Sequence, residues 1–417
     1  MKLTRSIFGW VMYDFANSSF TTIIVTVIYS KYFVQTVVGN SETGTALWGR
    51  AVAISMLMVA ISAPIFGAVA DYSRAKKKFL FYHTYLTIIF TALLFFVRAG
   101  DISRGMIFFI VANFGFNSAN VFYNALLPEI VSRKDMGKVS GWGWAVGYCG
   151  GLLSLMIVLP LVHNKWITLT FPTVAVFFGL FSLTTFILLK EKKAATRRTN
   201  YLKEAIRRMR TSARSIGQFR ELVKFIISYL IYNDGIVIVI SFASIYGAVR
   251  FGMSNKELIN YFIIAQITSM LGAFSFGYIL DRIGAKKTIS ITILIWIAVV
   301  LGAFFCRNIN EFYLVGLLAG VAMGSSQSSS RTMLALLTPD SKMAEFFGFY
   351  SFTGKMAAIV GPLVYGEITR ITGSQRLAII SVLFFFVTGL IILQFVNEAK
   401  GSEIARFWQE ADDSKIK

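Results

Sequence analysis

The chain has 417 residues, of which 56% are hydrophobic and only 15% are charged, and its mean hydropathy is +0.65. This composition lies outside the range of soluble globular proteins, so it excludes an ordinary soluble domain. The formal net charge of +20 would suit a nucleic-acid-binding protein, but the basic residues cluster in alternate short loops between apolar blocks, which is the pattern of cytoplasmic loops in membrane proteins.

The apolar residues fall in twelve blocks, each near the roughly 20 residues that a helix needs to cross a bilayer core about 30 Å thick. Helices are expected, because unpaired backbone groups cannot face lipid and the blocks lack the alternation of membrane strands. The charge asymmetry of the loops predicts an integral multi-pass protein with both termini cytoplasmic and with anionic lipid headgroups, not nucleic acid, beside the basic loops. We expect the membrane to be a bacterial inner membrane. The predicted helices cover 8–37, 46–70, 79–97, 105–127, 139–161, 169–189, 222–248, 257–280, 288–305, 311–337, 343–369 and 376–396.

The first predicted helix places an acid where lipid is expected. It contains "WVMYDFANSSF" (10–20), in which Asp14 shares one helix face with Asn17, Ser18 and two threonines further on. A charge at the bilayer centre costs at least about 2.5–3.5 kcal/mol, so such a residue faces water or an opposite charge. We therefore expect Asp14 and Asn17 to border a water-filled cavity.

Polar residues of the fourth, seventh, tenth and eleventh helices extend this pattern. The acids are Asp14 and Asp234 and the bases are Arg331 and Lys355, and we expect some of these four to form pairs across a cavity. An alternative stays open, in which the Asn and Ser residues only bond neighbouring helices at roughly 0.6 kcal/mol each. The candidate substrate-binding or coupling residues are Asp14, Asn17, Asn113, Asn117, Asn120, Asn124, Tyr232, Asn233, Asp234, Gln327, Arg331 and Lys355.

Two halves of the chain resemble each other. The loop "GAVADYSRAKKK" (67–78) follows the second block and "GYILDRIGAKK" (277–287) follows the eighth, so that Asp71 and Asp281 are 210 residues apart. Internal duplication is typical of transporter folds. The predicted parts are a six-helix bundle at 1–189, a basic cytoplasmic linker at 190–221, a second six-helix bundle at 222–397 and a cytoplasmic tail at 398–417.

Twelve helices, a six-plus-six duplication and the Gly-x-x-x-Asp loops resemble the major facilitator superfamily. Four segments, "YDFANSSF" (13–20), "FYNALLPEI" (122–130), "YNDG" (232–235) and "AEFFGFYSFTGKMAAIVGP" (344–362), are similar to its vacuole-effluxer-like branch, which includes fungal vacuolar proteins that release amino acids after autophagy. The resemblance implies an all-α membrane protein with two pseudo-symmetric six-helix bundles. It also implies a monomeric secondary transporter that moves amino acids or related small solutes by alternating access, with protons as the candidate coupling ion.

The resemblance further implies a gate at the cytoplasmic ends of the helices. Acids there would face helix starts in the opposite half, where the helix dipole is worth up to about 2 kcal/mol. We expect Arg74 or a lysine beside it to pair with Glu129, and Lys286 or Lys287 to pair with an acid after the tenth helix, as a latch between the halves. The alternative is that these are simple stop-transfer charges. The candidate gate residues are Asp71, Arg74, Glu129, Asp281, Arg282, Asp340 and Glu345.

The sequence gives little support for an enzyme, a cofactor or a metal site. His83 and His163 have no nucleophile near them in sequence, and no metal-ligand spacing exists. An exporter of drugs or lipids is an alternative, although it would need an apolar, laterally open cavity that the asparagines of the fourth helix disfavour. A receptor that uses the carrier fold without transport is another, and it would bind ligand without flux.

Overall fold

The computed structural model describes residues 4–73, 76–131, 133–190, 219–339 and 343–416, and all regular structure in these ranges is helical. Twelve long helices cross the molecule in succession, and ten of them are long and apolar enough, by length and composition, to span a membrane. The helices are α1 (Arg5–Val38), α2 (Ser41–Ser73), α3 (Lys76–Leu93), α4 (Ile102–Ile130), α5 (Arg133–His163), α6 (Thr170–Leu188), α7 (Arg220–Phe251), α8 (Asn255–Ile283), α9 (Ala285–Phe305), α10 (Ile309–Leu337), α11 (Met343–Thr372), α12 (Gln375–Gln394) and α13 (Glu398–Ile416).

The first twelve helices form two six-helix bundles with the same internal packing. In the first bundle α1 packs on α5 and α6, α4 packs on α2 and α3, and α3 packs on α6. In the second bundle α7 packs on α11 and α12, α10 packs on α8 and α9, and α9 packs on α12. Each of these contacts has its counterpart six helices later, so the predicted fold of two pseudo-symmetric bundles is confirmed. The bundles meet mainly where α2 packs on α11 and where α5 packs on α8.

The start and the end of α1 identify the two ends of the molecule. The hydroxyl of Thr4 caps α1 by accepting a hydrogen bond from Ile7 N at 3.3 Å, and the nearby Ser6 hydroxyl accepts one from Lys190 N at 3.4 Å, just after α6. Where α1 ends, Gly39 adopts a left-handed conformation that closes the helix. We call these two faces of the molecule the Thr4 end and the Gly39 end.

Glycines allow close approach of backbones inside each bundle. A Cβ atom at Gly324 of α10 would collide with the Ser269 carbonyl of α8, and one at Gly150 of α5 would collide with the Phe15 carbonyl of α1. The glycine spacing of the fifth and tenth predicted helices is therefore a packing feature, as small residues at helix interfaces usually are.

The first helix is less regular than its sequence suggests. The predicted block 8–37 is continuous, but the backbone is wound as π-helix over Phe20–Val27 and Phe33–Val38. Wide turns of this kind are often found at functional sites in helices. They lie beyond Asp14, toward the Gly39 end.

The tail after α12 forms a helix, α13, that docks on the Thr4 end of the second bundle. Glu221 at the start of α7 accepts a hydrogen bond from Asn397 N at 2.6 Å, which fixes the start of the tail. Trp408 of α13 packs against Phe219, with ring centroids 5.6 Å apart. Of the predicted basic linker, residues 191–218 lie outside the described residues.

Candidate functional site

Asp14 of α1 is held in place by aromatic residues of the first bundle. The Tyr123 hydroxyl of α4 donates a hydrogen bond to Asp14 Oδ2 at 2.8 Å. Tyr123 is itself positioned by Trp10, whose ring stacks on it at 4.3 Å between centroids and whose indole N–H donates to Tyr123 O at 2.9 Å. A Cβ at Gly143 of α5 would collide with Asp14 Oδ2, so glycine leaves the space that the carboxylate occupies.

Arg331 of α10 reaches from the second bundle to the first. Its guanidinium carbon lies 4.8 Å from the ring centroid of Trp144 on α5, which is cation–π geometry. Its positive charge also acts on the Asp14 carboxylate across the boundary between the bundles. Opposite charges from the two bundles therefore face one site.

Tyrosines surround Arg331 on both sides of this boundary. Tyr229 of α7 and Tyr350 of α11 stack with their centroids 4.0 Å apart. The charge of Arg331 acts on the hydroxyls of both, and on those of Tyr123 and Tyr148 from the first bundle. The Arg331 guanidinium thus lies over the Trp144 ring, and the Asp14 carboxylate and four tyrosine hydroxyls lie within the range of its charge.

Two buried polar atoms near this site have no hydrogen-bond partner among the described residues. They are the Tyr148 hydroxyl of α5 and the amide oxygen of Gln266 on α8. The amide nitrogen of Gln266 donates to Thr22 Oγ1 of α1 at 3.2 Å, across the bundle boundary. Buried polar groups are nearly always paired, so these two atoms are exceptions among the described residues.

The asparagines of α4 separate into two groups. Asn120 Oδ1 accepts a hydrogen bond from Asn17 Nδ2 at 3.3 Å, next to the turn that carries Asp14, and Asn124 is exposed one turn further along α4. Asn113 instead donates to Ser55 of α2 at 2.6 Å. Asn113 thus matches the alternative of a simple helix-to-helix contact.

Two further candidate residues, Asn117 of α4 and Gln327 of α10, lie on the same helices as these groups or as Arg331. Asn117 Nδ2 donates to the Asn113 carbonyl at 2.9 Å, so this side chain bonds its own helix. Gln327 of α10 lies one turn before Arg331 and is half-buried. Both remain near the polar side of their helices without contacting Asp14 in the described contacts.

Asp234 of α7 has a hydrogen-bond partner within its own bundle. Its Oδ1 accepts a hydrogen bond from Gly361 N of α11 at 2.9 Å, and the residue is only 3% exposed. The expected pairing of Asp234 with a base across a cavity stays a prediction, because the Lys355 side chain is not among the described residues. Gly361 lies next to Pro362, which interrupts the hydrogen-bond ladder of α11 in this region.

The neighbours of Asp234 are also directed into the second bundle. The Tyr232 hydroxyl is 2.6 Å from Ser330 Oγ of α10. Asn233 is buried, and its amide nitrogen would lie 3.8 Å from a Cβ at Gly354 of α11. The side chain of Lys355 lies outside the described residues.

Of the predicted latch, the pairing of Glu129 with a lysine beside Arg74 is present but does not link the halves, and the pairing of Lys286 or Lys287 with Asp340 or Glu345 stays a prediction. Lys76 of α3 bonds Glu129 of α4 at 2.6 Å, so this ion pair lies inside the first bundle and does not join the two. Lys286 Nζ donates to Gln394 O at 2.7 Å, again within one bundle, and Arg282 is exposed. Arg74 and Asp340, and the side chains of Asp71, Asp281 and Glu345, lie outside the described residues.

The bundles are joined tightly at the Gly39 end. Ser30 of α1 and Ser244 of α7 are 2.8 Å apart at their hydroxyls, and the Trp48 indole of α2 donates to Ser241 O at 3.1 Å. This end of the boundary is therefore closed. Further cross-bundle bonds here join Lys31 to Met253, Arg50 to Glu367 and Gln375 to Thr45.

Sequence reasoning missed the aromatic residues of the site. The spacing in the sequence could have identified Tyr123 as a site residue, because it lies three residues after Asn120 on the same arc of α4. Tyr229 likewise lies one turn before Tyr232 and Asn233. Aromatic residues one turn from a charged or amide side chain inside a membrane helix deserve inclusion in such searches.

Comparison with known proteins gives consistent results. The family model described as "Vacuole effluxer Atg22 like" matches residues 36–406. The chain is 28% identical over 419 residues to the uncharacterized MFS-type transporter YxiO of Bacillus subtilis, covering 97% of the chain and 98% of that protein. It is 26% identical over 334 residues to autophagy-related protein 22 of Kluyveromyces lactis, covering 71% and 68%. The nucleoside transporter NupG superposes with a TM-score of 0.70 at 14% identity, covering 94% of the chain and 98% of NupG, and so shares the fold.

Proposed function

Because the chain belongs to the vacuole effluxer Atg22-like family of major facilitator transporters, we propose that it moves amino acids or closely related polar solutes across a membrane. The chain is an integral multi-pass membrane protein with a transporter fold, and the proposal concerns its substrate and mechanism. The observation that carries it is the placement of Asp14 and Arg331, which come from different bundles and lie against consecutive residues of α5, Gly143 and Trp144.

This pair suits a zwitterionic solute. The planar guanidinium of Arg331 matches a carboxylate with two parallel hydrogen bonds, and the Asp14 carboxylate matches an ammonium group. The Tyr148 hydroxyl and the Gln266 amide oxygen offer a donor and an acceptor for the rest of the solute. The other expected substrate or coupling residues, Asn17 and Asn120 foremost, extend the polar wall beside Asp14.

Alternating access is the mechanism we propose, with each six-helix bundle moving as a unit. Most of the contact between the bundles is made by two helix pairs, α2 with α11 and α5 with α8. A rocking motion would therefore break and form contacts mainly at these two interfaces. The closed Gly39 end would represent one state, and the bonds there would break in the other. Candidate gate residues at the Thr4 end, such as Asp281, would then engage in that second state.

Proton coupling is part of the proposal. When a substrate carboxylate binds Arg331, it neutralises the positive charge near Asp14, while Asp14 itself stays shielded from water. A carboxylate in that condition binds a proton more readily, so substrate and proton binding become linked. Asp14 is therefore the proposed coupling residue, acting through its neighbour Arg331.

The location we propose is a bacterial inner membrane, with the protein as a monomer and the Thr4 end in the cytoplasm. The support is the excess of basic residues in loops at the Thr4 end and the full-length similarity to a Bacillus subtilis transporter. In this orientation the basic linker and α13 both lie on the cytoplasmic side.

A thermal-shift screen of the purified protein across amino acids, peptides, sugars and nucleosides tests the substrate class. Amino acids should raise the melting temperature, and the same compounds should be taken up by proteoliposomes, faster with a pH gradient than without one. Stabilisation only by apolar compounds would favour a drug or lipid exporter. Binding without flux would favour a receptor.

A further inference from the structure

Four helices, α1, α5, α7 and α11, finish at the Gly39 end with a residue in the left-handed region. Three of these residues are glycines, Gly39 (φ 72°), Gly252 (φ 66°) and Gly373 (φ 67°), whereas the fourth is Lys165 (φ 62°). Lys165 and Gly373 follow α5 and α11, which are counterparts in the duplicated fold. The same turn is therefore made with glycine in one bundle and with lysine in the other.

The turn at Lys165 is a regular helix ending that favours glycine. Trp166 N donates to Leu161 O at 2.8 Å and Lys165 N donates to Val162 O at 3.1 Å, which is the pattern of a Schellman motif. A side chain at this position crowds the neighbouring carbonyl oxygen, whereas glycine does not. A strained residue that persists where its counterpart is glycine points to a use for its side chain.

The Lys165 side chain lines a cavity of about 400 Å³ at the boundary between the bundles. Lys31 of α1 lies in the same wall, with the hydroxyls of Thr36 and Thr168, and Asn255 contributes from the second bundle. The lining thus combines two ammonium groups with several neutral hydrogen-bonding groups, and no acid is part of it among the described residues.

The charges around Lys31 leave it able to bind a ligand. One of its three donors goes to the Met253 carbonyl at 2.6 Å, and Glu257 attracts it from a distance. Glu257 is itself engaged with Ser254, where the two residues cap α8 reciprocally. Arg98 and Asp101 act on Tyr32 of this wall, and Asp101 is itself paired with Arg104 at 3.1 Å.

The counterpart cavity in the second bundle contains an acidic side chain of the protein in its wall. It has a volume of about 280 Å³ and is lined by Arg250 and Arg376, with Gly373 in the turn and Glu42 of α2 in the wall. In this cavity a carboxylate already accompanies the two cations. The described lining of the cavity of Lys31 and Lys165 contains no such carboxylate, so an oxyanion from a ligand can pair with its two ammonium groups.

We propose that Lys31 and Lys165 form a binding site for a small oxyanion, a carboxylate or phosphate group, at the Gly39 end. The site is separate from Asp14 and Arg331, and it stands whatever the transported solute is. Two sources share this chemistry: a dissolved carboxylate or phosphate, and an anionic lipid headgroup, since Trp166 beside Lys165 is 55% exposed at a level where membrane proteins meet headgroups.

The test is the melting temperature of the full-length protein in detergent, with sodium acetate or sodium phosphate replacing sodium chloride at constant ionic strength. We expect a rise of several degrees for the wild type and for the control Lys256→Ala, an exposed lysine of the same end that does not line the cavity. Lys165→Gly should melt higher than the wild type in chloride, because it removes the backbone strain, and it should lose the response to oxyanions. Lys31→Met should lose the response as well.

Persistence of the response in Lys165→Gly and Lys31→Met would overturn the proposal, and so would its absence in the wild type together with no effect of lipid. Nanodiscs with and without phosphatidylglycerol separate the two sources. A rise that only phosphatidylglycerol produces, and that Lys165→Gly abolishes, supports the site and identifies the headgroup as its ligand.

Discussion

The Asp14 side chain lies in a membrane-spanning helix without being isolated there. It accepts a hydrogen bond from Tyr123 and lies within the electrostatic reach of Arg331, and Gly143 provides the room it needs. Each of these partners comes from a different helix, so four helices of two bundles, including α1 itself, must be assembled before the charge is accommodated. At the scale of residues, the proposed function depends on this set of contacts.

Arg331→Lys tests the guanidinium. Lysine keeps the charge but lacks the planar fork and the ring stacking on Trp144, so we expect the affinity for the transported carboxylate to fall at least about tenfold, or about 1.4 kcal/mol. Titrated thermal shifts measure this change. Arg307→Lys, at an exposed arginine, is the matched control, and equal affinities in the two variants would contradict the role of Arg331.

Gly143→Ala tests the space beside Asp14. The added methyl group collides with Asp14 Oδ2, so we expect a loss of stability of about 1–3 kcal/mol, typical of an overpacked core. Gly179→Ala is the control, because its Cβ would meet nothing closer than 3.8 Å. Chemical denaturation of both variants provides the measurement, and equal midpoints would show that Asp14 moves aside without strain.

The residues show what a sequence can and cannot predict about such a site. The helical spacing in α1 and α4 was enough to select Asp14, Asn17 and Asn120, because residues three or four apart share a face. Periodicity could not identify the hydrogen-bond partner of Asp234, since that partner is the backbone amide of Gly361 on another helix. The aromatic residues around Arg331 look like ordinary core residues until the bundles are brought together.

At the scale of elements, the packing of α2 on α11 closes the Gly39 end. Gly49 of α2 leaves room for the Pro362 carbonyl of α11, and a Cβ at that position would collide with it. Pro362 also follows the residue that Asp234 binds. The Gly361–Pro362 segment of α11 is therefore in contact with both a buried acid and the opposite bundle.

Gly49→Ala should hold the bundles apart at the Gly39 end. We expect Ser244→Cys, in a background without native cysteines, to become reactive toward a membrane-impermeant thiol reagent when Gly49→Ala is added. In the parent and in the control Gly277→Ala, whose Cβ meets nothing within 4 Å, this cysteine should stay protected. Protection in all three proteins would mean that the α2–α11 contact adapts to the methyl group.

The tail helix α13 supplies a cap to another helix. Glu398 accepts hydrogen bonds from Ala285 N at 3.1 Å and Lys286 N at 2.8 Å, the first amides of α9. Glu398→Ala should destabilise the protein by about 0.5–2 kcal/mol, the usual loss on removing a helix cap. The exposed Glu403→Ala is the control, and thermal denaturation that does not distinguish the two variants would refute the capping role.

The membrane-spanning helices could be predicted because backbone groups inside a bilayer must form their hydrogen bonds within the protein, as they do in a helix. All twelve predicted blocks correspond to α1–α12, with ends that differ by up to about six residues, since helices continue past the apolar core where hydropathy no longer marks them. The π-helical winding of α1 and the docking of α13 were not predictable, because both depend on contacts made elsewhere in the fold.

At the scale of the whole molecule, the two bundles repeat one design and differ where chemistry is needed. Every main packing contact within one bundle has a counterpart in the other. Asp14, however, comes from α1 and Arg331 from α10, which are not counterparts. In the mechanism we propose, the duplicated bundles move against each other, and the side chains that differ between them form a site that only the two bundles together complete.

Solute counterflow in proteoliposomes tests this central claim most directly, using a solute that the thermal-shift screen identifies. The wild type and Arg307→Lys should exchange labelled solute at similar rates, whereas Asp14→Asn and Arg331→Lys should exchange it at least about tenfold more slowly, as expected when about 1.4 kcal/mol of binding is lost. Exchange at the wild-type rate in both site variants would contradict the account, because the solute would then cross the membrane without using the pair that joins the bundles.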